Sequence, residues 1–267
     1  MSGTGPNPAK TYDEYLGPAM FQPLAKFVID RAAPKVGERV LDLACGTGIV
    51  ALQVAPLVGE RGSVMGVDTS SPMIAVAKAK TKPSGAPVEW RTGNGTALEI
   101  DSAAFDLLIC QQGLQFFTDR AAGAREMHRV VAPAGRAVIA VWKSIDHQGA
   151  FQPLVAAQAK ALDIPVEKAG QPFGWGDPEA LRMELLTAGF TKVDVFEHTF
   201  TATFAEADHF IERMTIAAAS VMPQFAKVDL APMIATATTE LTPLLAQYRE
   251  GDTLSFPMTS NIAIAQR

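Results

Sequence analysis

The stretch Val40-Leu-Asp-Leu-Ala-Cys-Gly-Thr-Gly48 decides the fold. An apolar strand runs into glycines, and the segment Ile49–Leu57 that follows has helical character. Gly46 and Gly48 let a ligand approach bare backbone, and the next helix presents N–H groups to it. With Ala51 the loop satisfies G-x-G-x-x-A, and Asp68 follows Gly48 by 20 residues. There its carboxylate can accept both hydroxyls of a ribose. Taken alone, this pattern admits a nicotinamide or flavin dinucleotide. Asp42 argues for a different ligand. It stands four residues before Gly46, at the end of the first strand, and a pyrophosphate there would meet an uncompensated carboxylate. S-adenosylmethionine brings an ammonium and a sulfonium to the same place, so the carboxylate becomes an asset. The alternative role for Asp42 is to cap the backbone of its own loop.

Outward from the loop, strands are predicted at Arg39–Leu43, Ser63–Asp68, Val88–Arg91, Phe105–Cys110 and Arg136–Trp142. The runs 106–110 and 137–141 are apolar almost throughout, as in a parallel sheet covered on both faces. Helices are predicted at Ile49–Leu57, Pro72–Lys80 and Arg120–Val131, and Ala134-Gly135 turns the last of these into the next strand. The order is that of an α/β sheet. Later, Asp177 caps and Pro178 opens a helix that Gly189 ends. Lys192–Phe204 alternates as a strand exposed on one side, and Phe256–Gln266 is a final strand. Between them Glu206–Tyr248 carries apolar residues at helical spacing (Phe210, Met214, Ala217, Val221; then Leu241, Leu244, Leu245, Tyr248), and Pro223, Pro232 and Pro243 are expected to break it. Such an insertion is a lid or an ordinary core-facing cap.

The chain has 267 residues, is 48% hydrophobic and carries a net charge of −5. About 70% of the surface of a chain this long can be buried, so a core forms without staples. The acidic balance argues against nucleic acid as a partner. Two cysteines exclude a disulfide framework and point to a reducing, cytoplasmic setting. No apolar run approaches the length of a membrane span. The start, MSGTGPNPAK, has no signal-like apolar core and reads as a flexible tail. No metal-ligand spacing appears.

VLDLACGTG (Val40–Gly48), GVDTSSPMI (Gly66–Ile74), GNG (Gly93–Gly95), FDLLICQQGLQFF (Phe105–Phe117) and EMHRVVAPAGRAVIAVW (Glu126–Trp142) resemble, in order, the motifs of class I S-adenosylmethionine-dependent methyltransferases. They are most similar to the small-molecule group that includes the ubiquinone/menaquinone-biosynthesis type. The resemblance covers Val40–Trp142, with Pro172–Phe190 and Phe256–Gln266 also similar. It implies a doubly wound α/β fold: a seven-stranded, mostly parallel Rossmann-like sheet whose last strand, 256–266, is antiparallel. It implies one domain over 1–267, with an N-terminal helical cover at 11–35, a cofactor-binding core at 36–143 and a helical lid at 205–250. In this reading Asp42, Ala44, Gly46 and Gly48 wrap the methionine portion of S-adenosylmethionine, and Gln111 lines it. Asp68, with Thr69 beside it, holds the ribose, and Met73 lies against the adenine. Asn94, with Gly95, stands where the family usually has an aspartate for the adenine amino group; its amide carbonyl can accept the same bond. Tyr12 and Tyr15 sit in a segment that folds over the cofactor in similar proteins.

Acceptor residues are expected beyond the carboxyl ends of the strands. Gln112, Gln115 and Phe116 follow the fourth strand, and Trp142, His147 and Phe151 follow the fifth; Tyr12 joins them from the N-terminal segment. Methyl transfer is a displacement that needs alignment and a dry site, and a base only where the acceptor must lose a proton. His147 is the histidine placed for that task, whereas His128 reads as a solvated helix residue. The expected reaction moves a methyl group from S-adenosylmethionine to a small hydrophobic or aromatic metabolite, leaving S-adenosylhomocysteine. The alternatives are a nicotinamide-dependent oxidoreductase and a protein that binds S-adenosylmethionine without transfer.

Overall fold

The computed structural model describes residues 7–81, 83–220, 222, 225 and 228–267. Residues 1–6 of the expected tail, Val221 and Pro223 lie outside the described residues. The strands are β1 (Arg39–Leu43), β2 (Ser63–Asp68), β3 (Val88–Thr92), β4 (Phe105–Gln111), β5 (Val131–Trp142), β6 (Lys192–Ala205), β7 (Arg249–Glu250) and β8 (Thr253–Gln266). The first helices are α1 (Pro8–Thr11), α2 (Gln22–Ala32), α3 (Ile49–Val58), α4 (Ser71–Ala79) and α5 (Arg120–Val130). After them come α6 (Phe151–Leu162), α7 (Val166–Ala169), α8 (Pro178–Thr187), α9 (Phe210–Ala218) and α10 (Leu230–Leu245). The chain divides into a sheet unit, Leu24–Ser144 with Pro172–His198 and Thr259–Arg267, and a helical unit made of the residues up to Pro23, Ile145–Gln171 and Thr199–Met258.

The sheet runs β3-β2-β1-β4-β5-β8-β6, with the two-residue β7 paired to β8 as an addition to the expected seven strands. β1 is parallel to β2 and β4, β2 to β3, and β4 to β5, while β8 is antiparallel to β5. The uninterrupted apolar runs of β4 and β5 are buried, as strands covered on both faces require. Leu108, Cys110, Ile139 and Val141 join Met127 of α5 and Leu181 and Leu185 of α8 in one apolar cluster. Local chemistry starts the helices. Ser70 Oγ accepts from Met73 N at 3.4 Å, Asp119 Oδ1 from Ala122 N at 2.8 Å, and Asp177 Oδ1 from Glu179 N at 2.9 Å.

Three expectations change in these elements. β5 begins at Val131, because Phe105 pairs with Val131 and Leu107 with Arg136; residues 132–135 loop out between the pairs, Ala134 at φ 63°. His128 is not on a solvated face. Its ring lies edge-on to Phe190 at 5.2 Å and against Gly189, and burial lowers its pKa. Residues 7–10 of the expected tail are folded: Asn7 Oδ1 accepts from Ala9 N (3.1 Å) and Lys10 N (3.3 Å), and Pro8 takes the first turn of α1.

In the helical unit, a π-helical stretch at Tyr12–Phe21 follows α1, and α9 packs on both. α10 packs on α6 and α9. α10 also corrects the expected proline breaks, since it runs through both Pro232 and Pro243. Pro232 stands in the first turn, where an N–H has no helical partner anyway, and Pro243 in the last turn removes one bond. Phe204, Phe210 and Phe256 form an aromatic centre, with centroids 5.0–5.8 Å apart.

Candidate active site

The loop after β1 turns through left-handed residues: Ala44 at φ 58°, Gly46 at 52° and Gly48 at 82°. Two carboxylates hold it. Asp42, buried in β1, accepts from Ala51 N at 2.9 Å through Oδ2. Gly48 is the N-cap of α3 and brings no side-chain oxygen, so Asp42 caps that helix from nine residues upstream. The capping role considered for Asp42 is therefore real. Asp68, at the end of β2, accepts from Gly46 N at 2.8 Å through Oδ2 and from Ser70 N at 2.8 Å through Oδ1.

Burial pushes the Asp42 carboxyl up to about 7; the nearby Asp68 charge adds to the shift and the Ala51 N–H opposes it. Burial also raises Asp68, against the pull of the Ser70 and Gly46 N–H groups. Both carboxylates are held by neutral N–H donors, and a bound cation would supply the charge they face. At Gly46 no atom lies within 4 Å of where a Cβ would stand. Open space over bare backbone, beside two raised carboxylates, fits the ammonium and sulfonium of S-adenosylmethionine and not a pyrophosphate.

Trp90 is a residue that sequence reasoning missed. It sits on β3 opposite Gly66 of β2, and its ring fills the places where Cβ atoms of Gly48 (2.3 Å) and Gly66 (2.4 Å) would be. Gly48 thus makes room for an indole beneath the loop. The available signal was a tryptophan in β3 at the height of a glycine in β2.

Of the other residues expected around the cofactor, Met73 is buried at the start of α4, Thr69 is exposed, and Gln111 ends β4 half-buried. Gly95 is packed against the Phe117 ring. Asn94 needs a correction: its Oδ1 already accepts from Thr96 N (3.0 Å) and Thr96 Oγ1 (2.9 Å). The carbonyl proposed for the adenine is spent on a local turn, which leaves the Asn94 NH₂ as the group to offer a base.

Gln112, Gln115, Phe116 and Trp142 come together in the sheet unit. Gln112 is left-handed (φ 58°) and donates from Nε2 to Ser260 Oγ at 2.9 Å. Gly113 beside it abuts Ala44: a Cβ there would come within 2.4 Å of the Ala44 Cβ. Gln115 Oε1 accepts from Trp142 N at 3.1 Å, Phe116 is half-buried, and the Trp142 ring lies 6.4 Å from Phe173. The remaining expected residues belong to the helical unit. Tyr12 stacks on Phe21 at 4.8 Å. Tyr15 is buried against Phe204, with the Arg213 guanidinium 5.1 Å over its ring, and burial raises its pKa. Phe151 packs edge-on to Phe210 and Phe256. His147 is exposed, its Nδ1 3.1 Å from Asp146 Oδ1.

Residues 19–153, half of the chain, match the ubiE/COQ5 methyltransferase family. The chain belongs to that family. It is 30% identical over 195 residues to the ubiquinone/menaquinone biosynthesis C-methyltransferase UbiE of Klebsiella pneumoniae, covering 65% of this chain and 74% of that protein. It is 32% identical over 132 residues to the 2-phytyl-1,4-naphtoquinone methyltransferase of Synechococcus elongatus, covering 49% and 54%. Among solved structures it is similar to phosphoethanolamine N-methyltransferase 2 of Haemonchus contortus in complex with S-adenosylhomocysteine, at a TM-score of 0.60 and 18% identity over 97% of this chain and 56% of that one. That likeness shows the fold alone. As a member of the family, the chain is a S-adenosylmethionine-dependent methyltransferase acting on a small molecule, and the nicotinamide alternative falls away. S-adenosylmethionine, when bound, supplies an electrophilic methyl group.

Two outcomes follow for the loop. An aspartate ionises near 3.9 in an unfolded chain but Asp42 ionises near 7 in the fold. Between those values the unfolded state binds fewer protons, so the cofactor-free protein loses stability as pH rises from about 4 to about 7. Asp42→Asn flattens that fall, and thermal midpoints across the range measure it. S-adenosylmethionine binding runs the opposite way, tightening as Asp42 ionises, because the cation favours the carboxylate. Asp68→Ala releases the Gly46 and Ser70 N–H groups together and weakens S-adenosylmethionine binding by about 2–3 kcal/mol in calorimetric titration.

Proposed function

We propose that the enzyme methylates a ring carbon of a neutral, hydroxylated aromatic acceptor of quinone type, in a reducing cytoplasm. One observation carries the reading: chemistry changes sharply across the loop contact between Ala44 and Gly113. On one side stand the carboxylates of Asp42 and Asp68. On the other stand Gln112, Gln115 and Phe116, just after β4, and Trp142, the last residue of β5, none of which carries charge. Such a wall suits an apolar ring with a few hydrogen-bonding oxygens. The names of both relatives, which specify methylation in quinone biosynthesis or of a naphthoquinone, support the choice. Cys45 and Cys110 are free and buried, in keeping with a reducing setting. No helix among the described residues is long and apolar enough to cross a membrane.

In this proposal Asp42 and Asp68 orient the cofactor loop, and Trp142 and Phe116 keep water from the acceptor. An electron-rich ring carbon is itself the nucleophile, so alignment does most of the work. The carbon that gains the methyl group must then lose its proton. We assign that proton to His147, whose ring the Asp146 carboxylate orients. The segments 11–35 and 205–250 are proposed as the cover of the acceptor, on the strength of their places in the chain, before β1 and between β6 and β8.

Methyl transfer from labelled S-adenosylmethionine to anaerobic 1,4-dihydroxynaphthalene tests the acceptor class. Labelled ring-methyl product is expected, and its absence with the cofactor bound sinks the reading. His147→Ala is expected to slow turnover by about 10²–10⁴-fold with S-adenosylmethionine affinity unchanged; a loss under about threefold removes His147 from the reaction. Hydrogen exchange within 11–35 and 205–250 is expected to slow when cofactor and acceptor bind. Equal exchange in both states leaves those segments as static structure.

A further inference from the structure

The loop that follows β3 stands beside Asp68. Thr92, the last residue of β3, pairs with Asp68 at the end of β2, and Gly93 N donates to the Asp68 backbone carbonyl at 3.0 Å. Asn94 comes next and is exposed, open to a ligand beyond the carboxyl ends of the strands. The loop is held in place by packing. The Phe117 ring comes within 2.4 Å of where Cβ atoms of Gly95 and Gly123 would stand, which ties the loop to α5. Ala97 N donates to the Asn94 backbone carbonyl at 3.1 Å and closes the turn.

The direction of the Asn94 amide is settled inside that turn. Thr96 N only donates, so the Asn94 atom 3.0 Å from it is the oxygen. The Thr96 hydroxyl, 2.9 Å away, donates to the same oxygen. A carbonyl oxygen has two lone pairs, and both are used. Turning the amide over would set its NH₂ against the Thr96 N–H. Among the described residues no hydrogen bond engages the Asn94 NH₂. An asparagine with both ends free reads adenine in two places, its carbonyl taking the amino group and its NH₂ giving to a ring nitrogen. Asn94 keeps only the second half. An aspartate in the same turn would offer an acceptor where Asn94 offers a donor.

We propose that Asn94 donates to a ring nitrogen of the cofactor's purine, so that binding draws little on the 6-amino group of adenine and a cofactor lacking that group is accepted. A donor set against an amino group gains nothing, because both carry hydrogens, whereas a ring nitrogen offers a lone pair. The inference rests on S-adenosylmethionine lying at the loop after β1 with its ribose at Asp68. It stands apart from the choice of acceptor.

The test measures, by calorimetric titration of the full chain, the affinities of S-adenosylhomocysteine and of its purine analogue, in which hydrogen replaces the 6-amino group. Wild type is expected to bind the two within about threefold of each other. Asn94→Ala is expected to weaken both by the same factor, about tenfold, the share of one hydrogen bond. Asn94→Asp keeps the turn, since a carboxylate oxygen accepts from Thr96 as the amide oxygen does, and is expected to shift the preference about tenfold toward the 6-amino ligand. Thermal midpoints are read alongside, so a disrupted loop in the alanine variant leaves the aspartate variant to decide. Wild type that loses about tenfold or more with the amino group overturns the proposal. A loss in Asn94→Ala confined to the 6-amino ligand makes Asn94 an acceptor and overturns it too. An unchanged preference in Asn94→Asp places the base away from Asn94, with the same result. Asp68→Ala is expected to weaken both ligands alike; unchanged affinities there overturn the cofactor's place at this loop, and the inference with it.

Discussion

Asp42 and Asp68 each accept a backbone N–H at the loop after β1, Asp42 from Ala51 and Asp68 from Gly46, and the geometry of that loop depends on those two bonds. Asp42 ties the start of α3 back to β1, and Asp68 ties Gly46 to the end of β2. The loop between them can then bend through three left-handed residues without drifting. The arrangement buries two like charges near each other, which is unfavourable in a protein with nothing bound. Burial is the main reason the Asp42 carboxyl is raised, and the Asp68 charge adds to it. A cofactor with a positive end relieves it, and one with a pyrophosphate would worsen it. Electrostatics thus selects the ligand at a loop whose glycine spacing is ambiguous.

The sheet also supplies the floor of this loop. Trp90 on β3 extends beneath β2 to the glycines of the motif, so Gly48 and Gly66 lack side chains because an indole occupies that space. Glycines in such a loop are commonly credited to the ligand alone. Here only Gly46 opens onto empty space, and Gly48 is committed to packing.

Across the Ala44–Gly113 contact the chemistry changes from ionic to amide. The cofactor end is governed by charge, which gives affinity for a cation. On the other side Gln112 donates to Ser260 Oγ and Gln115 accepts from Trp142 N, and neither side chain carries charge.

Several elements were legible in the sequence because their causes are local. Val40–Gly48, Ser70-Ser71-Pro72 and Asp177-Pro178 each carry the residues that end a strand or cap a helix within a few positions, and the apolar runs of β4 and β5 announce a sheet covered on both faces. The same local logic failed where a distant segment decides the outcome. His128 is covered by the end of α8, Asn94 is claimed by its own turn, and residues 132–135 loop out because of how β5 registers against β4. The bond from Gln112 to Ser260 is the clearest case. The two residues are 148 positions apart, and only the antiparallel pairing of β8 with β5 sets one against the other. By itself the sequence determined the α/β order and the cationic cofactor, since a strand, its glycines and Asp42 are contiguous. The direction of the Gln115 and Asn261 amides was decided by tertiary structure alone, because it depends on whether the backbone atom brought to each is a donor or an acceptor.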